Sequence, residues 1–244
     1  MAERTPASLP AIQRYWDEWN SRWRFREDHD TFMAGQRDVA VSVARAAGEN
    51  MRILDVGCGT GWLGQALLPF GRVWGTDLSA DAIADGSRRY AELTLICGDF
   101  FEVDIPGPFD FVVSADALVH MPDYEAFMQR IAGLLKPGGT FLLMTQNPDI
   151  WRRRSLIRHA PEWMPHARPE DWPSLGRLRT LLRSSFTIER VTTMDPGGDR
   201  GLVWWVENRY VRGGMSRLVG RERWRAILER AGLGRELVII ARRS

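Results

Sequence analysis

Cysteine is almost absent: Cys58 and Cys97 are the only two in 244 residues. Neither their number nor their spacing suits a disulfide framework or a zinc site, so they read as small packing groups. Lysine is scarcer still, because Lys136 stands alone among 33 basic residues. No run of about 18 uncharged apolar residues exists, which excludes a membrane-spanning helix. Met1 to Pro10 has neither the basic start nor the apolar stretch of a secretory signal, and the expectation is a cytoplasmic protein without a membrane partner. No cluster of His, Cys, Asp and Glu has metal-ligand spacing, so no metal site is expected. Internal repeats and low-complexity linkers are missing as well.

What is present is enough apolar sequence, 44%, to bury the core of one large domain. The near balance of 33 basic and 31 acidic residues conceals an asymmetry. Residues 1–147 hold 13 Lys+Arg against 20 Asp+Glu, whereas residues 148–244 hold 20 against 11. The basic half is either a solvated face or a surface for an anionic substrate. Within it, Arg152, Arg153, Arg154 and Arg158 beside Trp151 have the forked donors that pair with a carboxylate or phosphate.

Along the chain, Leu9 to Arg37 is aromatic and charged, with Trp16, Trp19 and Trp23 on one helical face. That stripe is either packed on the core or a lid over a ligand, to which Tyr15 and Trp19 contribute. Asp38 to Ala47 predicts an amphipathic helix ended by Gly48. From Arg52 onward strands and helices alternate. Strands are predicted at 52–56, 72–76, 93–97, 109–114 and 140–145, with helices at 62–68 and 80–89 and a further one opened by Pro122. This spacing indicates a doubly wound, parallel α/β sheet. After Asn147 the rhythm breaks at 148–173 and again at 196–220, both read as cap insertions, around a helix at 175–184, a strand at 187–193, a helix at 222–231 and a strand at 236–241. The domain reading is an N-terminal helical cap segment over 1–49 and a Rossmann-like domain over 50–244.

In such a sheet a ligand lies beyond the carboxyl ends of the strands, so the residues there form one site. Here they are Asp55 with Gly57, Gly59 and Gly61, then Asp77, Asp99 and Ser114. The glycines allow a ligand to approach the main chain. A dinucleotide fingerprint starting at Gly57 would need its third glycine where Trp62 stands, although the letters fit two residues later. Asp77 suits a ribose diol, and Asp99 an adenine amino group.

These segments, with Leu134 to Gly139 before the fifth strand, resemble the class I S-adenosylmethionine-dependent methyltransferases. The resemblance is strong over about residues 50–147 and implies a seven-stranded sheet, mostly parallel, with an antiparallel last strand and a helical cap. It implies S-adenosyl-L-methionine as cofactor. Asp55, Gly57, Cys58, Gly59, Thr60 and Gly61 would surround its amino acid part. Asp77 would take the ribose, with Leu78 on the adenine beside Asp99 and Phe100, and Ser114 opens the segment after the fourth strand. Methyl transfer from a sulfonium is an in-line displacement that positioning and desolvation can largely drive. A hydroxyl acceptor also needs a base, for which His120 is the first candidate, its alternative role being to order its loop. His29, His159, His166 and Asp116 read as solvated or capping. The tryptophan-rich cap points to an apolar or aromatic small-molecule acceptor, and O-methylation is the expected reaction; an anionic group on the acceptor would meet the arginines. RNA modification and cofactor binding without turnover are the alternatives.

Overall fold

The protein is described from a computed structural model over residues 8–23, 31–152, 169–197 and 201–244. Seven strands form one sheet: β1 (Met51–Val56), β2 (Gly71–Asp77), β3 (Thr94–Cys97), β4 (Phe109–Ala115), β5 (Leu135–Gln146), β6 (Phe186–Pro196) and β7 (Gly234–Arg243). Their order is β3-β2-β1-β4-β5-β7-β6. The first five run parallel, and β7 is antiparallel to both β5 and β6. The chain therefore leaves the growing sheet in two directions, from β1 towards β3 and then from β4 onward. That reversal opens a crevice at the carboxyl ends of β1 and β4.

Both faces of the sheet are covered, which explains why the central strands read as continuous apolar runs. Successive side chains of a strand go to opposite cores. Leu54, Val112, Phe141 and Leu143 pack with Phe127 and Ile131 of α5 (Tyr124–Leu134) and with Leu178 and Leu182 of α7 (Leu175–Leu182). Ile53, Phe111, Val113 and Leu142 pack with Ala40 and Ala44 of α2 (Thr31–Ala47) and with Leu63 and Leu67 of α3 (Trp62–Leu67). Phe109, Phe111, Phe127 and Phe141 are completely buried, and each contributes roughly 2–3 kcal/mol through area removed from water.

Three local differences from the sequence reading have physical causes. Helix α2 begins at Thr31, not Asp38, because Gly35 does not break it. A Cβ at Gly35 would meet Met194 Cε at 2.8 Å, so this glycine lets the helix lie close to β6. Pro122 stands outside α5, and Asp123 is its N-cap, accepting from the amides of Glu125 (2.8 Å) and Ala126 (2.9 Å). The supposedly irregular 196–220 segment contains α8 (Gly201–Glu207) and α9 (Arg209–Val219), the latter capped by Asn208. Gly220, at φ 87, separates α9 from α10 (Arg221–Arg230), which packs on β6. The remaining helices are α1 (Leu9–Trp23), α4 (Ala80–Arg89) and the single turn α6 (Pro148–Trp151). Among the described residues, no helix is long and apolar enough to cross a membrane.

Candidate functional site

The turn after β1 is fixed to the neighbouring strand: the amides of Gly57 and Cys58 donate to the Thr76 carbonyl at 2.8 and 3.1 Å. Gly57, Gly59 and Gly61 all have positive φ (76, 53 and 85), the region that favours glycine. Their surroundings differ. A Cβ at Gly57 would overlap that of Ala117, and one at Gly61 would meet Leu93 Cδ1 at 2.7 Å, whereas at Gly59 none of the described residues lies within 4 Å of that position. The outer two glycines thus allow close packing, and the middle one leaves open backbone.

Asp77, at the end of β2, organises this backbone. Its Oδ2 accepts from the Gly59 amide at 2.8 Å and its Oδ1 from the Ser79 amide at 2.9 Å. Burial raises its pKa despite those two bonds. Asp55 is 2% exposed, and burial with the nearby Asp77 charge pushes its pKa up to about 7. Among the described residues its Oδ2 has no hydrogen-bond partner, nor has the completely buried Ser114 Oγ on the adjacent β4. Thr60 is buried, and burial also pushes the Cys58 thiol up. At the end of β3, Asp99 Oδ1 accepts from the Phe101 amide at 2.9 Å. Phe100 turns inward, its ring centroid 5.3 Å from that of Phe127, while Leu78 stays half-buried.

Helix α1 spans this edge. Asp17 Oδ1 accepts from Ser79 Oγ at 2.6 Å and from the Asp81 amide at 3.3 Å, where α4 begins. One residue earlier, the Trp16 ring stands edge-on to His120 with centroids 4.6 Å apart, and Tyr15 packs on Trp16 at 5.1 Å. His120 closes a 3-10 turn over Leu118–His120, just beyond β4. The side chain of Trp19 lies outside the described residues, as do His29, Arg153, Arg154, Arg158, His159 and His166. Arg152 is used internally, donating to the carbonyls of Pro169 (3.0 Å) and Glu170 (3.2 Å). A cleft of about 440 Å³ beside this segment is lined by Asp123, Glu125, Glu170 and Asp171 together with Arg177.

On the far side of β4 lies a polar group that the sequence reading missed. Asp116, read from sequence as solvated or capping, has a φ of 58 and accepts from two side-chain amides, Gln36 Nε2 and Gln146 Nε2, both at 2.8 Å. The same Gln36 nitrogen donates to Glu236 Oε1 at 2.7 Å. Helix α2, the turn after β4, β5 and β7 each supply one member, and Asp116 takes its positive φ in that turn. The one sequence signal was polar residues inside apolar elements: Gln36 is four residues before Ala40, which is itself four before Ala44, on the buried face of α2.

A family model described as a methyltransferase domain matches residues 23–234. A ubiquinone biosynthesis O-methyltransferase from Bradyrhizobium is 31% identical over 129 residues, 49% of this chain and 51% of that protein. A sterol 24-C-methyltransferase from Aspergillus fumigatus is 33% identical over 123 residues, 46% of this chain and 30% of the other. The chain thus spans about half or less of the length of these two curated relatives. Among solved structures, an S-adenosylmethionine-dependent methyltransferase from Mesorhizobium loti covers 85% of this chain and is itself wholly covered, at a TM-score of 0.58 and 24% identity. The N-methyltransferase NodS from Bradyrhizobium japonicum, in complex with S-adenosyl-L-homocysteine, covers 97% of each chain at a TM-score of 0.60 and 15% identity. These last two likenesses concern the fold, but the family model spans most of the chain. With the strand order and glycine turn described above, it identifies the chain as a member of the class I S-adenosylmethionine-dependent methyltransferases.

Proposed function

We propose that this methyltransferase acts on the hydroxyl group of a small, largely apolar or aromatic molecule. The observation that carries the reading is the line of strand-end groups beneath α1: cofactor-binding chemistry on the β1–β3 side and aromatic walls on the β4–β5 side. The residues present suit the cofactor. Open backbone at Gly59 and the unpartnered Asp55 Oδ2 and Ser114 Oγ provide space and polar atoms for its amino acid part. Asp77 has its carboxylate already oriented by two amides, with lone pairs left for a ribose diol. Asp99 has one oxygen free of its own turn for the adenine edge. Cys58, Thr60 and Gly61 shape the loop, Leu78 lines it, and Phe100 supports it from the core. Tyr15 and Trp19 belong to the covering helix.

The cofactor supplies a methyl group already activated on a sulfonium. The chain's contribution is to align the acceptor and exclude water. Trp16 covers the end of β4. Trp151 stands edge-on to Trp172 at 5.7 Å, and its indole N–H is satisfied by the Arg235 carbonyl at 2.9 Å, which fixes an apolar wall beyond β5. The curated relatives named for ubiquinone and sterol methylation support an apolar acceptor. The acid-lined cleft and the internal use of Arg152 argue against an anionic one. His120, edge-on to Trp16, takes the loop-ordering and lid-docking role of the two that its position suggested.

A screen with methyl-labelled cofactor tests the reading. Transfer to the oxygen of phenols or apolar alcohols is expected. Transfer only to amines, or only to RNA with salt-sensitive affinity, contradicts it.

A further inference from the structure

The polar group of Gln36, Asp116, Gln146 and Glu236 has more acid than the fold requires. Two carboxylates share one amide nitrogen, Gln36 Nε2, at 2.8 and 2.7 Å. Glu236 is 1% exposed, yet its Oε2 has no hydrogen-bond partner among the described residues. Burying a carboxylate oxygen without a donor is expensive, and placing a second acid beside it increases the cost. A structural role would be met by an amide or an apolar side chain at either position. Asp116 is the more exposed of the two, and it precedes Ala117, the residue that packs directly on Gly57. The pair therefore adjoins the glycine turn on the side away from Asp77, where an acceptor must come to meet the cofactor.

We propose that Asp116 is the catalytic base that receives the acceptor's hydroxyl proton, and that Glu236 is a buried positioning residue holding it in place through Gln36. The inference rests on the hydroxyl-acceptor reading above. In the step, the acceptor O–H proton passes to a carboxylate oxygen of Asp116 while an oxygen lone pair forms the new O–CH3 bond. The S–CH3 bond breaks with its electron pair remaining on sulfur, leaving S-adenosyl-L-homocysteine and a methyl ether. Asp116 afterwards returns its proton to solvent.

The electrostatics divide the labour. Burial raises the Asp116 pKa to about 6, with the Gln36 bond opposing the shift. Burial and then the Asp116 charge raise Glu236 well above the usual range, with Gln36 and Arg235 opposing. Both acids are raised by burial, and Asp116, the more accessible of the two, is the one placed to receive a proton. Among the described residues, the charged or titratable groups on the neighbouring elements include Arg235, ion-paired with Asp195 of β6, and the His120 ring, held against Trp16.

The test uses the full chain, labelled cofactor and para-substituted phenols from 4-methoxyphenol to 4-nitrophenol, the last of which ionises near neutrality without help. Asp116→Asn should slow methylation of 4-methoxyphenol by about 100-fold or more, with a deficit that shrinks towards 4-nitrophenol. Its affinity for S-adenosyl-L-homocysteine should stay within about twofold of the parent. Glu236→Leu, which takes away the acceptor that holds Gln36, should lower kcat with little change in KM, and the conservative Glu236→Gln should restore part of that loss; a Glu236→Leu variant with the parent's kcat overturns the positioning role. Asp116→Asn turnover within about threefold of the parent, or an equal loss on every phenol, overturns the proposal. If Asp116→Asn does not fold, the parent enzyme decides: kcat/KM for 4-methoxyphenol should fall below about pH 6, and a flat profile overturns the base. A parent enzyme inactive on every phenol is a different result, because it overturns the hydroxyl reading and the base with it.

Discussion

The two halves of the carboxyl edge satisfy their acids in opposite ways. On the cofactor half, Asp77 and Asp99 accept from backbone amides a few residues away or on the adjoining turn, at 2.8–2.9 Å. On the acceptor half, Asp116 and Glu236 are held by side-chain amides from elements 80 to 200 residues distant in the chain or on the next strand. Every residue but proline supplies a backbone amide, so the first half keeps its donors through most substitutions and presents a fixed site for a constant ligand. Side-chain amides can be exchanged one at a time, which suits the half that meets the acceptor.

The comparison can be broken at several points. The largest expected effect is on stability against pH. Asp55 is raised in the folded state to about 7 and Asp116 to about 6, so the folded form binds more protons than the unfolded chain between about pH 4 and 7. Their contribution to stability is present at low pH and is lost as pH rises through that window. Asp55→Asn should therefore flatten the decline and stabilise the protein at pH 8 by on the order of 2–4 kcal/mol, read from denaturant midpoints at several pH values.

Close packing under the glycine turn comes next. A Cβ at Gly86 of α4 would overlap the Thr60 carbonyl, a backbone atom that cannot rotate away. Gly86→Ala should cost about 2–3 kcal/mol in thermal or chemical melts and weaken cofactor binding through the displaced loop. Unchanged melting would show that this packing is looser than described.

The acceptor half should be less sensitive. Gln36→Leu removes the donor from Asp116 Oδ2 and Glu236 Oε1 at once, an expected loss of about 1–2 kcal/mol. Because that amide favours the ionised acids, the loss should be greater at pH 8 than at pH 5. Smallest of all, His120→Ala should leave turnover within about threefold of the parent and mainly raise the cofactor KM by loosening Trp16. A collapse of kcat at unchanged KM would return the base to His120.

The same contrast explains what could be read from the sequence. Strand-end acids at Asp55, Asp77 and Asp99 were legible because each immediately follows or ends an apolar run, and the glycines marked the turn by their spacing. The β5 to β7 order could not come from periodicity, since pairing between distant strands leaves no local signature; the antiparallel strand came from the family resemblance. Gln36 and Gln146 went unnoticed because a single polar residue in an apolar element carries no indication of its partner. Asp116 looked like a solvated loop acid, since nothing local reveals a residue at φ 58 turned towards α2 and β5. The helices α8 and α9 were hidden by their glycines and by exposed Trp204, Trp205 and Tyr210, although Asn208 marks the start of α9.

Isothermal titration of S-adenosyl-L-homocysteine into the parent, Asp77→Ala and Asp116→Asn proteins tests the division of the edge most directly. Affinity should fall by about 100-fold, roughly 2.7 kcal/mol, in Asp77→Ala and stay within about twofold of the parent in Asp116→Asn. Equal losses in the two variants, or a loss confined to Asp116→Asn, would contradict the account.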